Sequence, residues 1–237
     1  MKQLMILLSI FTLAIAAPIP TATNVQIRDV SEKSAVVDSA DLIPGMSGIV
    51  IHTYDDKHSA IVATAIVTSS NTERSDLKLL KFEGLRQPRL PDIKTRPANG
   101  DTAVLGYLYD RILPIAPNQE SFEKAKNTLA DLTLIHPDIF ATQLAQEKNP
   151  RPTKRSIQKF CQKMHLGLVM IMLKDGSDFI DCISWKKIAR TKMKAVNPKK
   201  FKQPFYHRFE SIPGGFFDWS DYKIYNYDRY YKKLEKK

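Results

Sequence analysis

Cys161 and His165 stand four residues apart in "FCQKMH", on a stretch with helical periodicity. That spacing sets both side chains on one helix face, where a thiol beside an imidazole could begin a thiol–base pair or a metal site. No further ligand-type residues accompany them, so a disulfide or an apolar core role suits Cys161 better. Cys161 and Cys182 admit two states: a bridge, contributing on the order of 3 kcal/mol in the chain-entropy model, or two buried thiols. His52 and His58 bracket "TYDDK", from which a metal site can be drawn. The spacing matches no motif with a mechanism, however, and Asp55-Asp56-Lys57 reads as a turn. His136, ahead of Pro137, suits a structural hydrogen bond at a strand–helix junction. The sequence holds no nucleophile elbow, phosphate loop or zinc-protease helix. No catalytic residue, cofactor or metal is expected, and a periplasmic enzyme ranks last among the function classes.

The remaining chemistry is that of binding. The sequence ends in "DRYYKKLEKK". A C-terminal lysine joins an ammonium to a free main-chain carboxylate, a zwitterion that an acidic pair, a cation and an aromatic trough can grip. Lys237 would be that ligand, Lys236 an auxiliary cation, and Lys232 and Lys233 steering charges. The bland alternative is a solvated, fraying end. A second candidate lies upstream. Between Asp181 and Glu210 no acidic residue occurs, while nine cations do. Lys186, Lys187, Arg190, Lys192, Lys194, Lys199, Lys200 and Lys202 form its main run, which could hold an anionic glycan, another envelope component or a membrane surface. Against this stands a solvated basic face that binds nothing specific.

These groups need elements to carry them. The chain has 237 residues, a net charge of +11 and 43% hydrophobic residues, a globular and not a disordered composition. Its start, Met1-Lys2 followed by an apolar run to Ala16 with Ala14-x-Ala16, predicts a signal peptide cleaved after Ala16. The run falls short of the ~20 residues that span a bilayer. The mature protein is therefore expected in the periplasm or at the cell surface, not as an integral membrane protein, and nucleic acid is not an expected partner.

Residues 17–113 predict a β-rich barrel-like or sandwich half, from short Val/Ile/Thr runs separated by Pro44-Gly45, Asp55-Asp56-Lys57 and Asn99-Gly100-Asp101. Gln87 to Pro97, with three prolines, should be an extended connection. Residues 114–217 predict helices packed on a small sheet. Asn118, Pro137 and Thr153 open three helices, and Asp175-Gly176 turns a hairpin. Residues 218–237 complete an α+β fold as an aromatic, lysine-ended tail, docked through Phe216, Phe217 and Trp219.

Several separated blocks, in order, carry a resemblance: "VVDSADLIPGMSGIVIHTYDDKHSAIVATAIV", "LGYLYDRILPIAPNQESFEK", "IHPDIFATQLAQEKNPRPTKRSIQKFC", "GLVMIMLKDGSDFIDCISW", "PFYHRF" and "GGFF". From about Val36 to Phe217 the chain resembles the N-terminal domain of the bacterial plasminogen-binding protein family. The resemblance implies an exported, surface-associated protein that binds host plasminogen through lysines, with Lys237 as the matching position. The resemblance also implies that longer members continue into a charged, lysine-rich region past the point, about twenty residues after "GGFF", where this sequence stops.

Overall fold

The computed structural model describes residues 19–38, 42–84, 93–214 and 223–236. Six strands come first: β1 (Thr23–Arg28), β2 (Ser34–Val37), β3 (Ser47–Asp55), β4 (His58–Ser70), β5 (Ser75–Leu80) and β6 (Thr102–Leu105). They close into an antiparallel barrel in the order β1-β2-β5-β4-β3-β6, with a Greek-key return of β5 to β2. Closure leaves no unpaired edge. Alternate residues point inward, among them Val37, Val50, Ala63, Ala65, Leu77, Leu79, Ala103 and Leu105. The alanines on β4 and β6 keep the interior of a six-stranded barrel narrow enough to fill. At Gly48 a Cβ would lie 2.1 Å from the Val104 carbonyl oxygen, so only glycine lets β3 approach β6 here.

The second sheet holds β7 (Arg111–Ile115), β8 (Thr133–Leu134), β9 (Leu168–Leu173), β10 (Gly176–Asp181) and β11 (Lys187–Thr191), in the order β11-β10-β9-β7-β8. Four helices accompany it: α1 (Gln119–Thr128), α2 (Pro137–Gln146), α3 (Lys154–Met164) and α4 (Tyr227–Glu235). The α+β class matches the sequence expectation. The division at residue 113 does not follow the strands. The barrel's last strand ends at Leu105, and β7, which crosses that division, pairs in parallel with β8 and β9 inside the second sheet. A parallel pair needs a long crossover, so only the helices that follow could reveal this strand's partners.

This sheet is covered on both faces. Ile112, Leu168, Met170, Met172 and Phe179 join the apolar cluster that fills the barrel and reaches α1. Leu113, Ile115, Val169, Ile171, Leu173 and Ile180 join the opposite cluster with α2, α3 and α4. Burial on both sides explains why β9 reads as an unbroken apolar run. The two halves therefore share a core.

A buried polar joint locks them. Oδ2 of Asp181, at the end of β10, accepts hydrogen bonds from Ser47 Oγ (2.5 Å), Ser47 N (3.2 Å) and Tyr109 Oη (2.8 Å). Its Oδ1 accepts from Ile183 N (2.9 Å) and Ser184 N (2.6 Å), which folds the β10–β11 turn. Burial, and then the Asp181 charge, raise the Tyr109 hydroxyl well above its ordinary pKa, so it stays a donor.

The two expected helix caps are present, and α2 opens at Pro137 as expected. Asn118 Oδ1 accepts from Ser121 N, and Thr153 forms a reciprocal capping box with Ser156. His136 caps α2, its Nδ1 accepting from Asp138 N at 3.2 Å. Cys161 on α3 is bonded to Cys182 after β10. Among the described residues no helix is long and apolar enough to cross a membrane. Residues 1–18, Phe216, Phe217 and Trp219, expected to dock the tail, and residues 87–92 of the proline-rich connection lie outside the described residues.

Candidate partner-binding surface

The lysine-rich terminus is not a fraying end across the described residues. Asn226 caps α4 by accepting from Arg229 N at 2.9 Å. Tyr227, Tyr231 and Leu234 recur at i, i+4 and i+7, and all three are buried in the cluster that covers the second sheet. Each end of the helix is also tied by hydrogen bonds. Tyr227 Oη donates to Ile115 O (3.0 Å), Tyr231 Oη to Pro204 O (2.9 Å), and Trp185 Nε1 to Leu234 O (3.1 Å). Burial raises the pKa of both tyrosine hydroxyls, which remain protonated donors. Arg151 stacks over the Tyr230 ring at 4.9 Å, and Asp228 accepts from Lys174 N at 3.0 Å. The i, i+4, i+7 pattern after an Asn cap was legible in the sequence, but the tail expectation overlooked it.

The four terminal lysines part company. Lys232 Nζ pairs with Asp175 Oδ2 at 2.7 Å, clamping α4 to the β9–β10 turn. The pair lies at the surface, and Lys232 itself stays part-exposed. Lys233 and Lys236 are exposed. Lys237 lies outside the described residues.

The upstream basic run divides similarly. Arg190 Nη1 binds both oxygens of the buried Asp178 (2.9 and 2.8 Å), and Lys187 Nζ approaches the same carboxylate at 3.7 Å. A buried carboxylate requires such partners, so these two exposed cations also serve the fold. Lys186, Lys192, Lys194, Lys199 and Lys200 are exposed, and Lys202 is half-buried. The loop bearing most of them is pinned to the start of α1, where Asn118 Nδ2 donates to Val196 O (2.8 Å) and Lys200 O (2.9 Å). A capping residue that also anchors a distant loop gives no separate signal in the sequence.

Glu235, in the last turn of α4, meets this ionic cluster. Burial first, and then the neighbouring Asp178, push its carboxyl up to about 7, while Lys187 and Arg190 pull the other way. The folded protein therefore holds a proton that the unfolded chain, with an ordinary glutamate at 4.5, releases. The stabilisation is complete below the unfolded value and is lost as pH rises to about 7. Resistance of α4 to trypsin is expected to fall across that window. A Glu235→Gln variant should show a flat profile, and an unchanged slope in it would refute this assignment.

His52 and His58 each face a carboxylate. His52 Nδ1 lies 2.7 Å from Asp101, and His58 Nδ1 lies 2.8 Å from Asp55, whose Oδ1 also accepts from Lys57 N and His58 N in the expected turn. His165 ends α3 in a left-handed conformation, while Cys161 is bonded to Cys182.

Fold and surface together define an α+β module in which a closed barrel shares a core with one face of a sheet, while a lysine-bearing helix helps cover the other. The chain belongs to the family described as "Plasminogen-binding protein pgbA N-terminal", whose signature matches residues 22–234. It is similar to the plasminogen-binding protein PgbA of two Helicobacter pylori strains, J99 / ATCC 700824 and ATCC 700392 / 26695. With each it shares 24% identity over 222 residues, covering 92% of this chain and 48% of the relative. The chain thus spans about half the length of these curated relatives. No solved structure matches it.

Proposed function

We propose that this protein is an exported binding protein of the cell envelope or surface that captures host plasminogen through lysines at its C-terminal end. The observation that carries this reading is the docked α4, which leaves Lys233 and Lys236 exposed beside the last residue, Lys237. In this role Lys237 supplies the zwitterion, Lys236 an auxiliary cation and Lys233 the steering charge. The names of the relatives support the partner. The Cys161–Cys182 bond supports export, since such bonds persist outside the reducing cytosol.

The test is binding to immobilised plasminogen by mature protein and by a variant lacking Lys236 and Lys237, with and without a free lysine analogue. Binding is expected to fall about tenfold or more in the variant and to vanish with the analogue. Binding indifferent to both would reject the lysine mechanism.

A second reading rests on the exposed cations Lys186, Lys192, Lys194, Lys199 and Lys200, which suit an anionic glycan or another envelope component. Binding to such a partner would weaken steeply with salt and tolerate loss of Lys237.

A further inference from the structure

A cleft of about 530 Å³ opens between the outer wall of the barrel and α3, remote in sequence from the terminal helix. Its floor is a row of cross-strand neighbours, with Ile49 opposite Thr64 and Thr64 opposite Leu80. Because strands alternate, the adjoining Val50, Ala63 and Leu79 fill the barrel, and this row faces outward. Ile49 is buried yet belongs to neither apolar core. Leu80 and Ile183, which also line the cleft, remain 38% and 47% exposed and extend its apolar surface.

The facing wall is the polar stripe of α3: Arg155, Gln158, Lys159 and Gln162, at i, i+3, i+4 and i+7. Gln158 Nε2 donates to Cys182 O and Ile183 O, and Gln162 Nε2 to Glu83 O, so the glutamines hold the cleft's sides in place. Lys159 is paired with Glu147 at 2.7 Å. Arg155 is exposed at the rim, and among the described residues no ion pair engages it.

An apolar floor with the exposed Arg155 at its rim complements a molecule with an apolar chain and an acidic head. The volume falls in the range of roughly 300–1,000 Å³ that buries small ligands. The floor strands β3, β4 and β5 spend their backbone groups on one another, so they offer no edge to which an extended peptide could add. We propose that this cleft binds a single-chain anionic amphiphile of the fatty-acid type. Its chain lies on Ile49, Leu80 and Ile183, and its carboxylate meets Arg155.

The experiment is fluorescence titration of the mature protein with cis-parinaric acid, followed by competition with palmitate and with hexadecanol, which has the same chain and an uncharged head. Saturable uptake displaced by palmitate is expected. Leu80→Asp and Ile183→Asp should each weaken it about tenfold. Both positions are exposed enough to accept the change, and unchanged thermal melting would verify that. Arg155→Glu should weaken palmitate and leave hexadecanol unaffected. Non-saturable uptake, or saturable uptake indifferent to both aspartates, would overturn the site. Equal losses of acid and alcohol in Arg155→Glu would overturn the role of the acidic head.

Discussion

Replacing Asp181 with alanine is expected to destabilise the protein by at least about 3 kcal/mol, because buried donors left unsatisfied cost roughly 1–3 kcal/mol each. The carboxylate is fully buried and accepts from the Ser47 amide and hydroxyl, the Tyr109 hydroxyl and the Ile183 and Ser184 amides. Two of these donor residues start or flank the barrel strands, and two build the turn after β10. Alanine would strand the Ser47 and Tyr109 donors in a buried joint and leave the turn amides unpaired at its half-buried edge. Asparagine separates charge from shape. It can still accept at one oxygen, but its amide nitrogen would face either Ser47 or the turn amides, so an intermediate loss of about 2 kcal/mol is expected. Urea unfolding measures both. A loss below about 1 kcal/mol for alanine would mean that the joint does not hold the barrel to the sheet.

Tyr231→Ala should cost about 3–5 kcal/mol in the docking of α4, the range for truncating a buried aromatic side chain. Tyr231 is fully buried, packs against Tyr227 at 4.6 Å between ring centroids and donates to Pro204 O. Tyr231→Phe removes only the hydroxyl and should cost about 1 kcal/mol. The loss will be local if α4 opens as a unit. Limited trypsin digestion reads this directly, since Arg229, Lys232 and Lys233 become cleavable once the helix leaves the sheet. Rapid cleavage in Tyr231→Ala, with Tyr231→Phe close to the parent, is the expected pattern. Equal protection in all three proteins would show that α4 is held by its ion pairs alone.

The caps of α1 and α3 and the buried face of α4 have the same physical basis. Asn118 and Thr153 could be recognised as caps because capping needs only a side chain and a backbone amide three residues away. Tyr227, Tyr231 and Leu234 carry an equally local pattern, yet the density of lysines around them suggested a solvated tail. A helix can display lysines on one face and bury tyrosines on the other, and α4 does both.

The sequence by itself determined the α+β class, the strand-rich start, two helix caps and the Asp175-Gly176 hairpin, since each depends on residues within a few positions of one another. Tertiary structure alone decided which charges remain free. Lys232, Lys187 and Arg190 look like their neighbours in the sequence, but they are drawn to Asp175 and Asp178. It also decided where β7 pairs, that Cys161 meets Cys182, and that Asp181 meets Ser47 across 134 positions of chain. Such encounters leave no periodic trace. They depend on how the barrel and the sheet pack together, and burial then makes the unpaired alternative too costly to persist.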